Sequence, residues 1–490
     1  MEAPVPRAVC GPGSNPETDR QGRVPKAEVD SGRAAQGYTC NTELLGRFGP
    51  PSFQGGAGGY KVFRYIDASG HECAYYDSTL LFPANVSAGQ APGVYVLDMS
   101  NPLHLDPPPQ PVRTAVLDTQ AMLSPHESLA FNAKRGLLVA AYGTPETAPG
   151  QVDIYDVTAD CGVLGHESGM APDGNTYYIA SLDAGTLTAI DISNPSAPVP
   201  LWVTDEHRSH GLSISEDGNR AYVGGRLTSG VSGSSSFRGL VVLDVSQVQA
   251  RVLNPQVPEI SRLDWPVIST PQSTIPVTIA GHPYLIEFDE FNSGNNVGAV
   301  RIIDIADETH PQVISNIKLE VNMAVNQGES PGQADDYGAQ TIFQGYTGHY
   351  CAVPYPNEPT VLACTFILSG LRLFDIRDPV HPTEIAYFNG PILSTNGNPA
   401  FPGTAYAMSA PAFVPERKEI WYSDGNSGFY SVRITNDAWP LPEPGVALAL
   451  ASGVALLAAL RPLPSRARNL SASRLPVRHS AEGGIPPYED

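Results

Sequence analysis

Four of the eleven histidines in this 490-residue chain occupy one recurring slot. His126-Glu127, His166-Glu167, His210-Gly211 and His349-Tyr350 each open a short apolar run, and five residues further on stand Phe131, Ala171, Ser215 and Pro354, each at or just before a turn. Neutral imidazole nitrogens suit borderline transition metals such as copper and zinc, and a carboxylate beside a ligating histidine orients its ring. His126, His166, His210 and His349 are therefore candidate metal ligands, with Glu127 and Glu167 as orienting carboxylates. Glu287, Asp289 and Glu290 of the stretch EFDEF are candidates for extra ligands. Each has a plainer reading too. A histidine duplicated with its repeat can cap a strand through a backbone hydrogen bond, and an acidic stretch can be a solvated strand edge. His71, His104, His310 and His381 fall in turns or beside Asp and read as surface residues. The sequence has no glycine-rich phosphate loop, zinc-finger spacing, nucleophile elbow or paired-carboxylate motif, so no catalytic residue or organic cofactor is assigned.

Four distant histidines meet only if the fold is repetitive, and it is. GTLTAIDISNPSAPVPLWV (Gly185 to Val203) returns as GVYVLDMSNP from Gly93, QVDIYDVTAD from Gln151 and GLVVLDVSQV from Gly239. It returns again as AVRIIDIADETHP from Ala299, GLRLFDIRDPVHP from Gly370 and, decayed, GFYSVRITND from Gly428. Seven short strand patterns punctuated by Gly and Pro predict an all-β, seven-bladed β-propeller over residues 40–440. The first strand of a blade lies nearest the axis, so equivalent histidines at its start form a ring at one mouth of the central channel. The last repeat runs out of sequence before its outer strand. Thr42 to Phe48 is expected to fill that place, since an open ring exposes two sheet edges. Only ten residues separate Asp156 from His166, against nineteen from Asp191 to His210, which predicts a three-stranded or distorted second blade. Ser229 to Ser236, rich in Gly and Ser, and the polar Asn322 to Phe343 read as loops.

A formal charge of −21 argues against nucleic acid and anionic membrane surfaces as partners. Of six cysteines, Cys351 and Cys364 flank a hairpin and face each other as a candidate disulfide. Cys40 and Cys73 form a second candidate pair, Cys10 and Cys161 stay unassigned, and spacing alone does not fix the pairing. Residues 1–39 lack apolar periodicity and read as an arm or linker. No secretory signal follows Met1. Beyond Trp439 the composition changes to Pro442-Glu443-Pro444, then fifteen residues from Val446 to Leu460 that are almost all Ala, Leu and Val, then Arg461. That run is near the lower limit for crossing a bilayer.

The cores VYVLDMSNP, LTAIDISNP, LVVLDVS and LRLFDIRDP resemble those of bacterial LVIVD-repeat proteins, and the resemblance implies a propeller, often exported, without a general activity. Residues 441–462 resemble the PEP-CTERM sorting signal, which implies a C-terminal hydrophobic helix and processing by a membrane protease. The basic cluster that should follow is diluted to Arg461, Arg466 and Arg468, and residues 463–490 are expected to form a disordered tail. The inner-strand His-Glu and His-Gly pairs are loosely similar to those of copper-dependent selenium-binding-type propellers. Two functions follow. One is a monomeric exported or cell-envelope scaffold that binds a protein, glycan or small ligand across one face. The other is a copper- or zinc-dependent oxidoreductase built on the histidine ring.

Overall fold

The computed structural model describes residues 3–440 except 50–57, 68–69, 80–91, 101–110, 143–151, 156–158, 162–165, 182–185, 208, 227–237, 266–269, 291, 294–295, 324–344 and 393–405. The segment after Leu460, the Ser229 to Ser236 insertion and most of the Asn322 to Phe343 stretch thus lie outside the described residues, as does the apolar run. No helix among the described residues is long and apolar enough to cross a membrane.

Each repeat folds as an antiparallel sheet whose strands neighbour one another in sequence order. Blade three shows why. Thr176–Ser181, Thr186–Asp191 and Val199–Thr204 are β-branched and aromatic, and the first two are buried almost throughout, because a propeller sheet is covered on both faces. The aspartate that ends each third strand has one task. Asp98, Asp191, Asp244, Asp304 and Asp375 each accept a hydrogen bond at Oδ1 from the backbone N–H two residues on, at 2.8–3.0 Å, closing the turn that starts the outer strand.

The expected seven like blades are not found: six blades are four-stranded sheets, and the repeat over 348–389 lies in a widened sheet of five strands. The widened sheet gains Tyr38–Cys40 at its outer edge, paired with Thr383–Asn389. Blade two, expected to lack most of its outer strand, has four strands with a three-residue outer one in Ala159–Cys161. Thr42–Phe48 pairs antiparallel with Gly428–Ile434 and completes the last blade with a strand from the beginning of the chain. Buried apolar clusters join each sheet to the next, including Val62, Tyr95, Trp421 and Phe429 between the last blade and the first.

The N-terminal segment, expected as an arm or linker, is docked. Val24, Val29, Ala34 and Tyr38 pack with Tyr387 and Ile392, and Cys10 is bonded to Cys40. Cys40 therefore does not pair with Cys73, which is a free thiol. Cys351 and Cys364 stand directly opposite on neighbouring strands and are bonded. Aperiodic sequence packs here because its hold is polar. Arg372, fully buried, donates from Nη1 to Glu384 Oε1 at 3.1 Å, pairs with Glu17 and lies 4.5 Å from the Tyr387 ring centre.

Candidate functional site

The innermost strands of successive blades run side by side, with an isolated parallel bridge between Glu127 and Glu167 and another between Lys61 and Ala410. His210 and His349 lie second in the inner strands Ser209–Ile214 and Gly348–Ala352, and His166 immediately precedes Glu167–Met170. His126 stands earlier, four residues before Ala130–Asn132, and takes a left-handed backbone with φ +49°. For a residue with a Cβ that conformation costs free energy and needs the surroundings to hold it.

The structure brings the four histidines together. Ring centres are 4.5 Å apart for His126 and His166 and 4.8 Å for His166 and His210, and the Tyr60 ring lies 4.4 Å from His126 and 5.5 Å from His349. Glu127, expected beside the ring, stands within it. Its Oε2 is 3.1 Å from His166 Nε2 and 3.5 Å from His210 Nε2, and its Oε1 is 3.3 Å from His349 Nε2. Glu290 faces the same space, with its oxygens 3.2 Å from His210 Nε2 and 3.4 Å from His349 Nε2.

Strand parity separates the acidic residues of blade five. Glu287 and Asp289 share one face of His282–Glu290 and both pair with Arg301 Nη1, at 2.7 and 2.6 Å, while Glu290 on the other face reaches the histidines. Glu287 and Asp289 are thus directed to Arg301 and away from the cluster, and burial beside Asp289 pushes the Glu287 carboxyl well up. Glu167 is an outer member. It lies 3.3 Å from Lys61 Nζ and accepts a 3.1 Å hydrogen bond from Gln272 Nε2, which also donates to Glu127 Oε2 at 2.6 Å. Its carboxylate occupies the space a Cβ on residue 211 would fill, which explains the glycine after His210.

Lys61, Tyr60 and Gln272 are members that sequence reasoning missed. Gln272 sits near the start of the blade-five inner strand, in the slot that holds histidine in four other blades, and this register was the available signal. Tyr60 and Lys61 follow a glycine-rich stretch that hides the start of the blade-one strand. Asp77 fixes that strand by accepting hydrogen bonds from the Tyr60 and Lys61 N–H groups at 2.7 and 3.0 Å.

The imidazoles are held as ligating imidazoles are. His210 Nδ1 is 2.9 Å from the Pro271 carbonyl oxygen and His349 Nδ1 is 2.6 Å from that of Met408, so each Nδ1–H donates to the neighbouring blade and each Nε2 faces the cluster. His126 Nδ1 and the Nε2 atoms of His166, His210 and His349 are buried and make no well-aligned hydrogen bond. Buried polar atoms rarely go unmatched. Donor separations of 3.1–3.5 Å suit the edges of a coordination polyhedron, which for tetrahedral bonds of about 2.1 Å are roughly 3.4 Å long. The residues present fit a metal ion.

Electrostatics agree. Burial opposes charge on Glu127, yet His166, His210 and His349 beside it hold its carboxyl well below the usual carboxylate range. Burial and His166 push His126 down to about 3. Burial also works against charge on His210 and His349, but Glu127 and Glu290 raise both to about 9. Without a metal, these two imidazoles carry protons that balance the two carboxylates, and a bound cation takes the place of those protons.

Residues 165–201, which include His166, match the family model of the LVIVD repeat. Comparison with curated proteins finds no match. Among solved structures the chain is similar to hydrazine synthase of Kuenenia stuttgartiensis, at 12% identity over 78% of this chain and 97% of that one, with a TM-score of 0.46. It is also similar to the periplasmic gluconolactonase of Pseudomonas aeruginosa, at 12% identity over 73% and 92% of the two chains, with a TM-score of 0.45.

Proposed function

We propose that this propeller is an exported metalloprotein whose histidine–carboxylate cluster binds copper or zinc and serves a metal-dependent reaction on a small ligand, of the oxidoreductase class where the ion is copper. The reading rests on one observation above the rest, four imidazoles, three of them buried and His166 nearly so, converging on Glu127 and Glu290 without a well-aligned hydrogen bond at their inward nitrogens. His126, His166, His210, His349, Glu127 and Glu290 would hold the ion. Gln272, and Glu167 paired with Lys61, orient the carboxylates from outside. Bound copper supplies one-electron chemistry and bound zinc polarises an oxygen. The chain's own part is to fix the imidazoles through the Pro271 and Met408 carbonyls and to keep the cluster dry.

Two disulfides support an oxidising compartment, since such bonds are rare in reducing cytosol. A scaffold that binds a protein or glycan across one face is the second reading, and it gives the convergent imidazoles no task. Metal analysis of the protein after exposure to copper or zinc and exhaustive dialysis separates the two. Tightly held metal is expected, and its loss in a folded His166→Ala/His210→Ala variant. Wild-type protein that retains no more metal than this variant overturns the proposal.

A further inference from the structure

The donor atoms fall into two sets that share one carboxylate. One ligand atom each from His126, Glu127 and His166 lies within 4.8 Å of the others, and the same holds for Glu127, His210 and Glu290. His349 belongs beside the second set, 3.3 Å from Glu127 Oε1 and 3.4 Å from Glu290 Oε1. Glu127 faces imidazoles of both sets, with Oε2 nearest His166 at 3.1 Å and 3.5 Å from His210, and Oε1 toward His349.

From this division we infer that the cluster is a dinuclear centre, with Glu127 as the carboxylate bridging two metal ions. The inference rests on the metal reading above and sharpens it. One ion is held by His126 and His166 with Glu127, the other by His210, His349 and Glu290 with Glu127. A tetrahedral ion takes four ligands, whereas four imidazoles and two carboxylates offer six donor groups, and a second ion accounts for the surplus.

Two further features fit. His126, the donor farthest out of register, is the one whose backbone is left-handed, and its Nδ1 is buried without a hydrogen-bond partner in the group it forms with Glu127 and His166. A ligand for a single ion at His210, His349 and Glu290 would not require that conformation. Gln272 Nε2 holds Glu127 Oε2 at 2.6 Å, fixing the shared carboxylate between the two sets. Two divalent ions bring four positive charges against Glu127 and Glu290. The surplus suits a hydroxide or an anionic ligand.

The test uses the full chain, stripped with a chelator and titrated with Cu2+ alone. Two equivalents per chain are expected, and the second should diminish the integrated electron paramagnetic resonance signal, because a carboxylate bridge couples the spins. His126→Ala/His166→Ala and His210→Ala/His349→Ala should each retain one equivalent, with an uncoupled signal. The wild-type titration stands without either variant. One equivalent in the wild type overturns the dinuclear centre and leaves the metal reading intact. Two equivalents with undiminished signal overturn the bridge. No tightly bound Cu2+ and, in a repeat titration, no tightly bound Zn2+ overturn both readings.

Discussion

The histidine cluster and the Arg372 cluster are both buried knots of charge, yet they are built to opposite ends. Around Arg372, two carboxylates meet one guanidinium, and the remaining acceptors are filled. Glu384 Oε2 takes Gln21 Nε2 at 2.9 Å and the Ala8 N–H at 3.2 Å, and Glu17 Oε2 takes the Gly22 N–H at 3.0 Å. Around Glu127 the imidazole nitrogens stand 3.1–3.5 Å from two carboxylates without a well-aligned hydrogen bond. A closed set of partners welds the arm to the ring, whereas the histidine cluster leaves its partners out of alignment. Burial alone does not distinguish the two, but the alignment of their partners does.

That contrast breaks first at Arg372. Arg372→Met leaves Glu17 and Glu384 buried without their cation, and such a loss costs about 3–5 kcal/mol. Denaturant unfolding should show it, with early proteolytic release of the N-terminal arm. A loss near zero would mean that the arm is held by its disulfide and apolar contacts, and the comparison would fail.

Next in size is a buried acid of the closed kind, Asp77. Burial raises it to about 7 from an ordinary 3.8, against the opposing pull of the Lys61 and Tyr60 N–H groups. A raised carboxyl favours the folded state below 3.8, and that contribution is lost as pH rises through about 7. The shift corresponds to at most about 4 kcal/mol. Stability measured from pH 4 to pH 7 should fall by part of that amount, and Asp77→Asn should flatten the slope.

The open cluster predicts a different response. A ligand that binds only the folded chain stabilises it by about 2.7 kcal/mol at a hundredfold excess over Kd. Zinc should therefore raise the Tm of the wild type and leave that of His166→Ala/His210→Ala unmoved. An equal rise in both would place the metal elsewhere. The smallest effect is expected for Gly211→Ala, whose Cβ collides with the Glu167 carboxylate and stands 2.6 Å from the Gln272 carbonyl oxygen. Overpacking of this kind costs about 1–3 kcal/mol. Weaker metal retention should accompany it, because Glu167 and Gln272 orient Glu127.

The propeller was legible because each repeat carries its own turn chemistry. The aspartate of AIDISNP closes the same turn in five blades, so the pattern survives where other positions drift. The borrowed strand was legible as a shortage in the last repeat, and the histidines through their common register. Glu290 was obscured by its neighbours, since one step along a strand turns a side chain to the other face, and composition does not reveal which face of EFDEF looks inward. The arm was illegible for another reason. Its contacts include one disulfide, the Arg372 and Arg7 ion pairs, single hydrogen bonds and scattered apolar side chains, none of which leaves a period in the sequence.

The pairing of Thr42–Phe48 with Gly428–Ile434 also dictates an order of events during biosynthesis. The partners stand about 390 residues apart, so at 5–20 residues per second the early ribbon waits roughly 20 to 80 s for its mate to be made. Throughout that interval its backbone is available to strands of other nascent chains. Closing the circle is therefore the last and most exposed moment in this molecule's assembly, and conditions that lengthen the delay should raise the yield of intertwined aggregates before they affect the finished protein.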